Sequence, residues 1–330
     1  MTKTNARKQP GNQARYSFIK MVTGTDLSKR RIPKMETDSG VSGPNVWLTG
    51  CIHGDEIGGT VLIQEVFKKL KKLLRKGCVK AFPIVNPFGF EQASRLLPFS
   101  REDLNRLFPG KENGSLGERI VHTVYQNIIT DSPDLVLDLH NDWIRSIPYT
   151  LLDHSFMDIA DRGFKKKMYT YAEKLGFPVV LDNVPIPGSL SGTLLNKGIP
   201  SMTLEVGESF SVNESMTERG VEAVLSLLHH LGMLDESYSQ EVQEVVDPGL
   251  YLYDQKPLSS TSGIIRFHTR EGTAVKKGQL IAKVYNAFGK HQETLYALDD
   301  GLVLGRTDHS LSFPGFPIMA FGIKYSGTLY

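Results

Sequence analysis

The sequence predicts an α/β protein with a smaller all-β segment at its C-terminal end. Short apolar runs alternate with helical patterns over about the first 235 residues, which is typical of a layered α/β arrangement. From about residue 245 the pattern changes to short strand-like pieces separated by turn sequences such as REG, KKG and DDG. We therefore expect an α/β domain over residues 1–242, with residues 1–15 flexible, and a small β-barrel-like domain over residues 243–330.

The first part of the chain contains six candidate strands and three clear helical patterns. The strands are NVWLTG, KAFPIVN, LVLDLH, YTLLD, PVVLD and SMTLEV. One helix has apolar residues about one turn apart from Val61 to Leu74, with Gly77 as its stop signal. Ser115 and Glu118 fit a capping box at the start of a second helix, and a third is expected to end at Gly232.

The all-β segment resembles the biotinyl/lipoyl-like β-barrel in its sequences AVKKGQLIAKV and ALDDGLVLG. A carrier domain of that type presents a lysine on a hairpin, commonly between two methionines. The corresponding stretch here is NAFGKHQE, so Lys290 is interpreted as an ordinary surface lysine. We therefore expect the segment to be structural or to form a lid.

Composition excludes several classes of protein. The 330 residues carry a formal net charge of only +2, so nothing at this level indicates a nucleic acid or an anionic membrane as partner. Two cysteines are too few for a disulfide framework and suit a reducing compartment. The N-terminus lacks the apolar region of a signal peptide, and no apolar run approaches the length of a membrane span. These features predict a cytoplasmic protein.

The stretch GCIHGDEIGG places His53, Asp55 and Glu56 in a glycine-rich turn directly after a predicted strand. A histidine and a carboxylate three residues apart can converge on one side of a tight turn, and zinc accepts both as ligands. An H-x-x-E pattern alone is weak support, because it often occurs by chance. Cys51 is interpreted as a small buried thiol rather than a fourth ligand, since a catalytic zinc keeps that position open for water.

A second histidine supports a metal site. His140 closes the apolar run LVLDLH, and His53 also follows a strand, so both are expected at the carboxyl edge of the sheet, where α/β proteins bind ligands. A set of two histidines and one glutamate is typical of hydrolytic zinc sites. Taken alone, His140 would be better explained as a hydrogen-bonded core histidine.

Two further stretches carry candidate site residues. In SREDLNRLFPG, Asp103 is one of two aspartates, with Asp138, that could accept a hydrogen bond from the ring N–H of His53. Asn105 and Arg106 could bind a substrate carboxylate, although the stretch also fits a polar surface loop. In SMTLEVGES, Glu205 interrupts an apolar strand, and a buried carboxylate needs a local explanation such as a role as general base. Glu208 is interpreted as a loop residue, although the sequence leaves it open.

The motifs HGDE, DLNR, DLH and TLEVG, in this order, resemble the succinylglutamate desuccinylase/aspartoacylase family, a branch of the zinc carboxypeptidase-like fold. The resemblance spans most of residues 45–210 and implies a mixed sheet flanked by helices. It implies one zinc ion per chain, and the family's ligands fall on His53, Glu56 and His140. The family's substrate-binding pair falls on Asn105 and Arg106.

The resemblance also implies catalytic residues. The family's general base falls on Glu205, and its carbonyl-polarising arginine falls on Arg95, chosen over Arg101 in the same stretch. The family uses a tyrosine from elsewhere in the chain that no motif here matches, and Tyr149 is only a candidate for it.

Three functions fit these residues. The first is a zinc-dependent deacylase acting on a small N-acyl amino acid or related amine that carries a carboxylate. The second is a zinc carboxypeptidase, which a cleft narrowed by the C-terminal segment would disfavour. The third is a non-catalytic binding protein that retains a metal, which would have no evident reason to bury Glu205. A homo-oligomer is also possible.

Overall fold

The chain is described by a computed structural model that covers residues 13–23, 27–143, 145–238, 249–307, 309–327 and 329. The predicted boundary between residues 242 and 243 lies outside the described residues, as do residues 1–12 of the predicted flexible start. No helix in the described ranges is long and apolar enough to cross a membrane.

The described residues form strands and helices in alternation, followed by a run of strands. The helices are α1 (Gly58–Leu73), α2 (Pro87–Glu91), α3 (Leu116–Thr130), α4 (Ser155–Asp158), α5 (Arg162–Lys174), α6 (Leu190–Leu195) and α7 (Glu214–His230). The strands up to α7 are β1 (Arg15–Thr23), β2 (Lys29–Asp38), β3 (Asn45–Gly50), β4 (Cys78–Phe82), β5 (Leu135–His140), β6 (Arg145–Ser146), β7 (Tyr149–Leu152), β8 (Val179–Leu181) and β9 (Ser201–Glu205). Those after it are β10 (Leu250–Asp254), β11 (Gly263–Phe267), β12 (Ala274–Val275), β13 (Leu280–Tyr285), β14 (His291–Tyr296), β15 (Gly301–Arg306), β16 (Leu311–Ser312) and β17 (Met319–Lys324).

A mixed sheet of 13 strands runs through the described part of the molecule, in the order β1-β2-β4-β3-β5-β9-β7-β8-β10-β17-β15-β12, with β6 paired to β15. Its centre is parallel, because β3 pairs with β4 and β5, and β5 pairs with β9, in parallel register. The strand β7 runs antiparallel to β9. The prediction of a mixed α/β sheet flanked by helices is therefore confirmed.

Helices cover both faces of the central strands. One apolar core lies between the sheet and helices α1, α5 and α7, where Leu62, Met168 and Val224 are buried together. A second core lies on the opposite face against α3 and α6, where Val121 and Leu194 are buried. The central strands are covered on both faces, which explains why their sequences are continuous apolar runs.

Helix ends follow the predicted signals with one exception. The Ser115–Glu118 capping box is present at the start of α3, and Gly232 adopts the left-handed conformation after α7. Helix α1 ends before Gly77, because Leu74 becomes extended and forms a bridge with Leu234 after α7. The apolar periodicity continues to Leu74, which is buried through this bridge and not as part of the helix. The pattern alone therefore does not show where the helix ends.

The C-terminal strands divide between two sheets. Strands β10, β12, β15 and β17 extend the main sheet, and β10 pairs with β8 in parallel register. The separate antiparallel sheet has the order β14-β13-β11-β16, and it shares a core with the extension that includes Ile265, Val303 and Phe321. An all-β C-terminal segment is therefore present, whereas a closed barrel stays a prediction. Lys290 is exposed between β13 and β14.

Candidate metal centre and active site

The candidate site lies at the carboxyl ends of three adjacent central strands. His140 and Glu205 are the last residues of β5 and β9 and lie opposite each other in the parallel register. His53 follows the neighbouring strand β3 by three residues. The parallel pairing of these strands brings the residues to one edge of the sheet, as the sequence predicts.

The glutamate of the HGDE turn lies between the two histidines. His53 Nδ1 is 2.7 Å from Glu56 Oε1, and His140 Nδ1 is 2.8 Å from Glu56 Oε2. All three side chains are buried, and their possible ligand atoms lie within 4.8 Å of one another. The structure thus brings the three predicted metal ligands together.

Each histidine also contacts an aspartate through its other ring nitrogen. His53 Nε2 is 3.2 Å from Asp103 Oδ1, and His140 Nε2 is 2.9 Å from Asp138 Oδ2. Of the two aspartates that the sequence left open for His53, the structure therefore places Asp103 beside it and Asp138 beside His140. Such carboxylates fix the orientation and the tautomer of metal-binding histidines.

This arrangement suits a bound cation. A neutral imidazole carries one ring proton, so a ring that donates through Nε2 to an aspartate presents an Nδ1 lone pair to Glu56. Two acceptors at 2.7–2.8 Å need a proton or a metal ion between them. Both rings meet Glu56 in this way, so His53, Glu56 and His140 fit zinc by donor type and placement.

The charge states of the buried groups follow from the same contacts. Burial disfavours the ionised form of Glu56, but His53 and His140 outweigh it and hold the pKa of Glu56 well below its usual range. Burial also opposes a charge on His140, but Asp138 and Glu56 raise the pKa of that ring well above its ordinary value. The cluster therefore holds ionised carboxylates and attracts positive charge at neutral pH.

The HGDE turn is fixed by close backbone packing. A Cβ atom on Gly54 would lie 2.0 Å from the carbonyl carbon of Gly89 in α2, and the Gly54 N–H donates to the Ser94 carbonyl at 3.0 Å. The backbone N–H of Asn141 donates to Glu56 Oε2 at 3.2 Å and helps to hold the carboxylate in place. Glycine at position 54 thus permits the approach that positions His53 and Glu56.

Arg95 lies beside the metal cluster. Its guanidinium is 3.3 Å from Glu56 Oε1 and 3.3 Å from Asp103 Oδ2, and its side chain remains 44% exposed. It therefore can reach both the cluster and a ligand in the cavity. Arg101 is not among the cavity-lining residues, so the geometry favours Arg95 for the predicted role.

The DLNR stretch forms a short 3-10 turn over Leu104–Arg106, with Asp103 at its N-terminus. Asn105 Oδ1 accepts from the backbone N–H of Leu190 at 2.9 Å, which leaves the amide nitrogen of its side chain available to a ligand. Arg106 donates to the carbonyl of Asn105 at 2.8 Å. Both side chains line the cavity.

A cavity of about 720 Å³ adjoins the cluster, and seven of the nine predicted site residues line it. The other two, Asp103 and Asp138, contact the histidines instead. Glu205 lies in the wall, and its buried Oε2 atom has no hydrogen-bond partner in the described residues. Burial raises the pKa of Glu205 well above its ordinary value; His140 opposes this rise, and Asp142 adds to it. Glu208 does not line the cavity.

The structure adds lining residues that sequence reasoning missed. Tyr149, the candidate tyrosine, lines the cavity and donates from its hydroxyl to Asp142 Oδ2 at 2.8 Å. Tyr253, Gln255 and Lys256 come from the C-terminal segment and form another part of the wall. No motif signalled them, because β10 reaches the cavity only by pairing with β8.

Cys51 lies beside the turn but outside the cluster. Burial, followed by Glu56 and Asp55, raises the pKa of its thiol to about 12. The group of ligand atoms found among the described residues does not include its sulfur. The structure therefore agrees with a buried neutral thiol.

Residues 42–231 match the family model described as the succinylglutamate desuccinylase/aspartoacylase catalytic domain. The chain belongs to this family. The match covers more than half of the chain and contains every predicted site residue, while the C-terminal strands lie beyond it.

Comparisons with individual proteins extend the likeness over nearly the whole chain. N-alpha-acetyl-L-2,4-diaminobutyric acid deacetylase of Halomonas elongata is 27% identical in an alignment 311 positions long, and the alignment covers 84% of this chain and 86% of the relative. The product-bound ectoine utilization protein EutE (DoeB) of Ruegeria pomeroyi superposes with a TM-score of 0.82, at 22% identity over 96% and 97% of the two chains. A succinylglutamate desuccinylase/aspartoacylase of Rhodobacter sphaeroides gives a TM-score of 0.81, at 22% identity over 97% of both chains. These structures share the fold, including its C-terminal strands.

Proposed function

We propose that this chain is a zinc-dependent deacylase that hydrolyses the amide bond of a small N-acyl amino acid or a related N-acylated amine. The observation that carries the proposal is the convergence of His53, Glu56 and His140 beside Glu205 in one cavity wall. Membership in a family of deacylases supports it. One zinc ion would be held by the two Nδ1 atoms and the Glu56 carboxylate.

Zinc, when bound, would supply Lewis acidity that polarises a carbonyl and lowers the pKa of a water molecule toward about 7. Glu205, in the wall of the same cavity, would accept a proton from the attacking water. The water oxygen bonds to the amide carbon, the carbon–nitrogen bond breaks, and Glu205 returns the proton to the departing nitrogen. The products are a carboxylate and a free amine.

Two arginines have distinct roles in this proposal. Arg95 lies next to the cluster and stabilises the negative charge that develops on the carbonyl oxygen, a kind of interaction that contributes about 3–4 kcal/mol in other enzymes. Arg106 presents a planar guanidinium that matches a substrate carboxylate, with Asn105 as its neighbour. The raised pKa of Glu205 suits a group that must hold and release a proton.

The position of the C-terminal segment favours a deacylase over a carboxypeptidase. Residues of this segment, including Tyr253 and Lys256, line the same cavity as the metal cluster. A site with walls from both parts of the chain suits a small amide better than a peptide terminus. Because the Halomonas relative is a deacetylase of N-α-acetyl-2,4-diaminobutyrate, that compound is the first substrate to test.

The test combines metal analysis with an activity assay. Zinc content is measured by elemental analysis in the native protein and in His53→Ala, and amine release is followed with a panel of N-acyl amino acids. We expect about one zinc per chain, its loss in His53→Ala, and release of amine only by the native protein. His229→Ala removes an exposed imidazole at the end of α7 and should leave both measurements unchanged.

The outcomes separate the alternatives. Zinc without turnover of any amide would favour the peptidase or the binding protein, and hydrolysis of peptide C-termini would identify the former. Absence of metal in protein offered zinc would contradict the proposed role of the HGDE turn.

A further inference from the structure

Two buried carboxylates lie in the cavity wall away from the metal cluster. Asp153 directly follows β7 and Asp182 directly follows β8, and these strands are parallel with Leu152 opposite Leu181. The backbone N–H of Asp182 donates to the carbonyl of Leu152 at 2.9 Å. Both aspartates are 6% exposed, and both line the cavity.

Neither carboxylate is in direct contact with a cationic side chain of the described residues. Asp153 accepts from the Ser155 N–H at 2.9 Å and from the Ser189 hydroxyl at 2.8 Å. The Asp182 carboxylate accepts only from the Val184 N–H, at 3.2 Å, so its second oxygen has no hydrogen-bond partner in the ranges that the structure covers. His154 contacts Asp182 at its backbone carbonyl, at 3.3 Å, and not at the carboxylate. Within those ranges, neither carboxylate forms an ion pair with a lysine, arginine or histidine nitrogen within 4.0 Å. Burying an ionised carboxylate without a cation costs free energy, and repulsion between two neighbouring carboxylates raises this cost.

The pair lies at the end of the cavity opposite to the proposed reaction. Tyr149, the first residue of β7, lies opposite Glu205, whereas Asp153 follows the last residue of that strand. Four residues of strand correspond to about 13 Å. Burial raises the pKa of Asp182 and Asp153 adds to the rise, whereas the hydrogen bond from the Val184 N–H and the charges of His154 and Arg106 oppose it.

We propose that Asp153 and Asp182 bind a positively charged amine of the substrate, separate from the nitrogen that carries the acyl group. This inference rests on the proposed function, and it narrows the substrate to an N-acylated diamino acid or a similar diamine. An ammonium group offers three donors, and it would supply both the charge and the hydrogen bond that Asp182 lacks.

A second metal ion is a poorer fit for this end of the cavity. Among the described residues, the ligand atoms of histidines, cysteines and acids come within 4.8 Å of one another as a group of three only at His53, Glu56 and His140. The aspartate pair has two carboxylates without a third ligand of this kind. An ammonium group suits the aspartate pair better, because it binds through hydrogen bonds and does not require three or more ligand atoms.

The test compares substrates that differ in charge but little in shape. For the zinc-loaded protein, kcat/KM is measured with the Nα-acetyl derivatives of diaminobutyrate, ornithine and lysine, and with those of norvaline and norleucine as neutral counterparts. We expect the wild type to prefer the cationic substrates by about tenfold or more, as a charge-assisted hydrogen bond provides. Asp182→Asn should reduce this ratio to near one. Asp158→Asn removes an exposed acid that does not line the cavity and should retain the ratio.

Calorimetry with the free amino acids separates this inference from the proposed function. If no amide is hydrolysed, the proposed function fails, yet the inference still requires that diaminobutyrate or ornithine bind more tightly than norvaline, and that Asp182→Asn remove the difference. If Asp182→Asn weakened the binding of cationic and neutral compounds equally, Asp182 would have a structural role, and the inference would be overturned. A wild type without any preference for cationic compounds would overturn it independently of how the variant folds.

Discussion

Glu205 is a buried carboxylate whose charge is unfavourable in the folded protein. Its replacement by a neutral side chain should therefore lower turnover but raise the free energy of unfolding at neutral pH. We expect Glu205→Gln to lower turnover by about 10²–10⁴-fold, because the proton acceptor is lost, and to retain zinc. Glu208→Gln changes a neighbouring glutamate outside the cavity wall and should remain active. Turnover at the wild-type rate in Glu205→Gln would remove Glu205 from the mechanism.

We also expect Glu205→Gln to change how the free energy of unfolding depends on pH. The pKa of Glu205 is raised on folding, so between its unfolded value of about 4.3 and its folded value the native state binds more protons. The free energy of unfolding of the metal-free wild type therefore falls as pH rises through this window. Glu205→Gln has no proton to release at this position, and we therefore expect its free energy of unfolding to fall less than that of the wild type as pH rises above about 4.3. Urea unfolding at a series of pH values measures the free energy of unfolding of both proteins. The same dependence on pH in the wild type and in Glu205→Gln would contradict the expectation.

Asp103 contacts both a proposed metal ligand and the proposed oxyanion-stabilising arginine. Burial disfavours its charge, but the hydrogen bond with His53 and the nearby Arg95 hold its pKa well below the usual range. Asp103→Asn keeps the shape but removes the charge, and we expect zinc affinity to fall about 10–100-fold. Competition with a chelator measures this, with Glu102→Gln as control, because Glu102 contacts Ser115 rather than a histidine. Unchanged affinity would show that His53 is oriented by other contacts.

At the scale of elements, the turn between β3 and α1 depends on its contact with α2. Gly54→Ala would place a methyl group 2.0 Å from the backbone of Gly89, where no flexible side chain can move aside. We expect a loss of about 1–3 kcal/mol in the free energy of unfolding, together with weaker zinc binding. Gly163→Ala is the matched control, since a methyl group there would meet only the Asp161 side chain, at 3.2 Å. Denaturant unfolding of zinc-loaded and metal-free protein tests this, and equal stability of the two variants would contradict it.

The sequence predicted the central elements well because their patterns are simple. Strands β3, β5 and β9 are continuous apolar runs buried on both faces, and the predicted helices have regular apolar stripes. The hairpin of β1 and β2 was missed, because β2 is rich in lysine and arginine and buries little more than Ile32 and Met35 among its apolar residues. Helix α5 was missed for a similar reason, since only Met168 and Ala172 are buried in it.

At the scale of the whole molecule, the candidate site was partly predictable from short motifs. Residues His53, Glu56 and His140 follow adjacent parallel strands, so the rule that ligands bind at the carboxyl edge brings them together without knowledge of side-chain packing. The wall made by Tyr253 and Lys256 was not predictable in this way. It depends on the parallel pairing of β8 with β10, two strands about 70 residues apart.

That pairing also makes the C-terminal strands part of the main fold. A buried cluster joins Tyr149 and Val180 from the first part of the chain to Tyr251, Leu302 and Ala320 from the last. A fragment ending at residue 242 would lack these partners, and it would expose the edge of β8 together with the apolar face beneath it.

We expect residues 1–242 alone to aggregate or to unfold without a cooperative transition, and to bind zinc more weakly than the full chain. Circular dichroism during heating and chelator competition measure these properties, with the full chain as control. If the fragment unfolded cooperatively and bound zinc as tightly as the full chain, the C-terminal segment would be an independent domain. The pairing of β8 with β10 would then contribute little to stability, and the segment's role would be confined to the cavity wall.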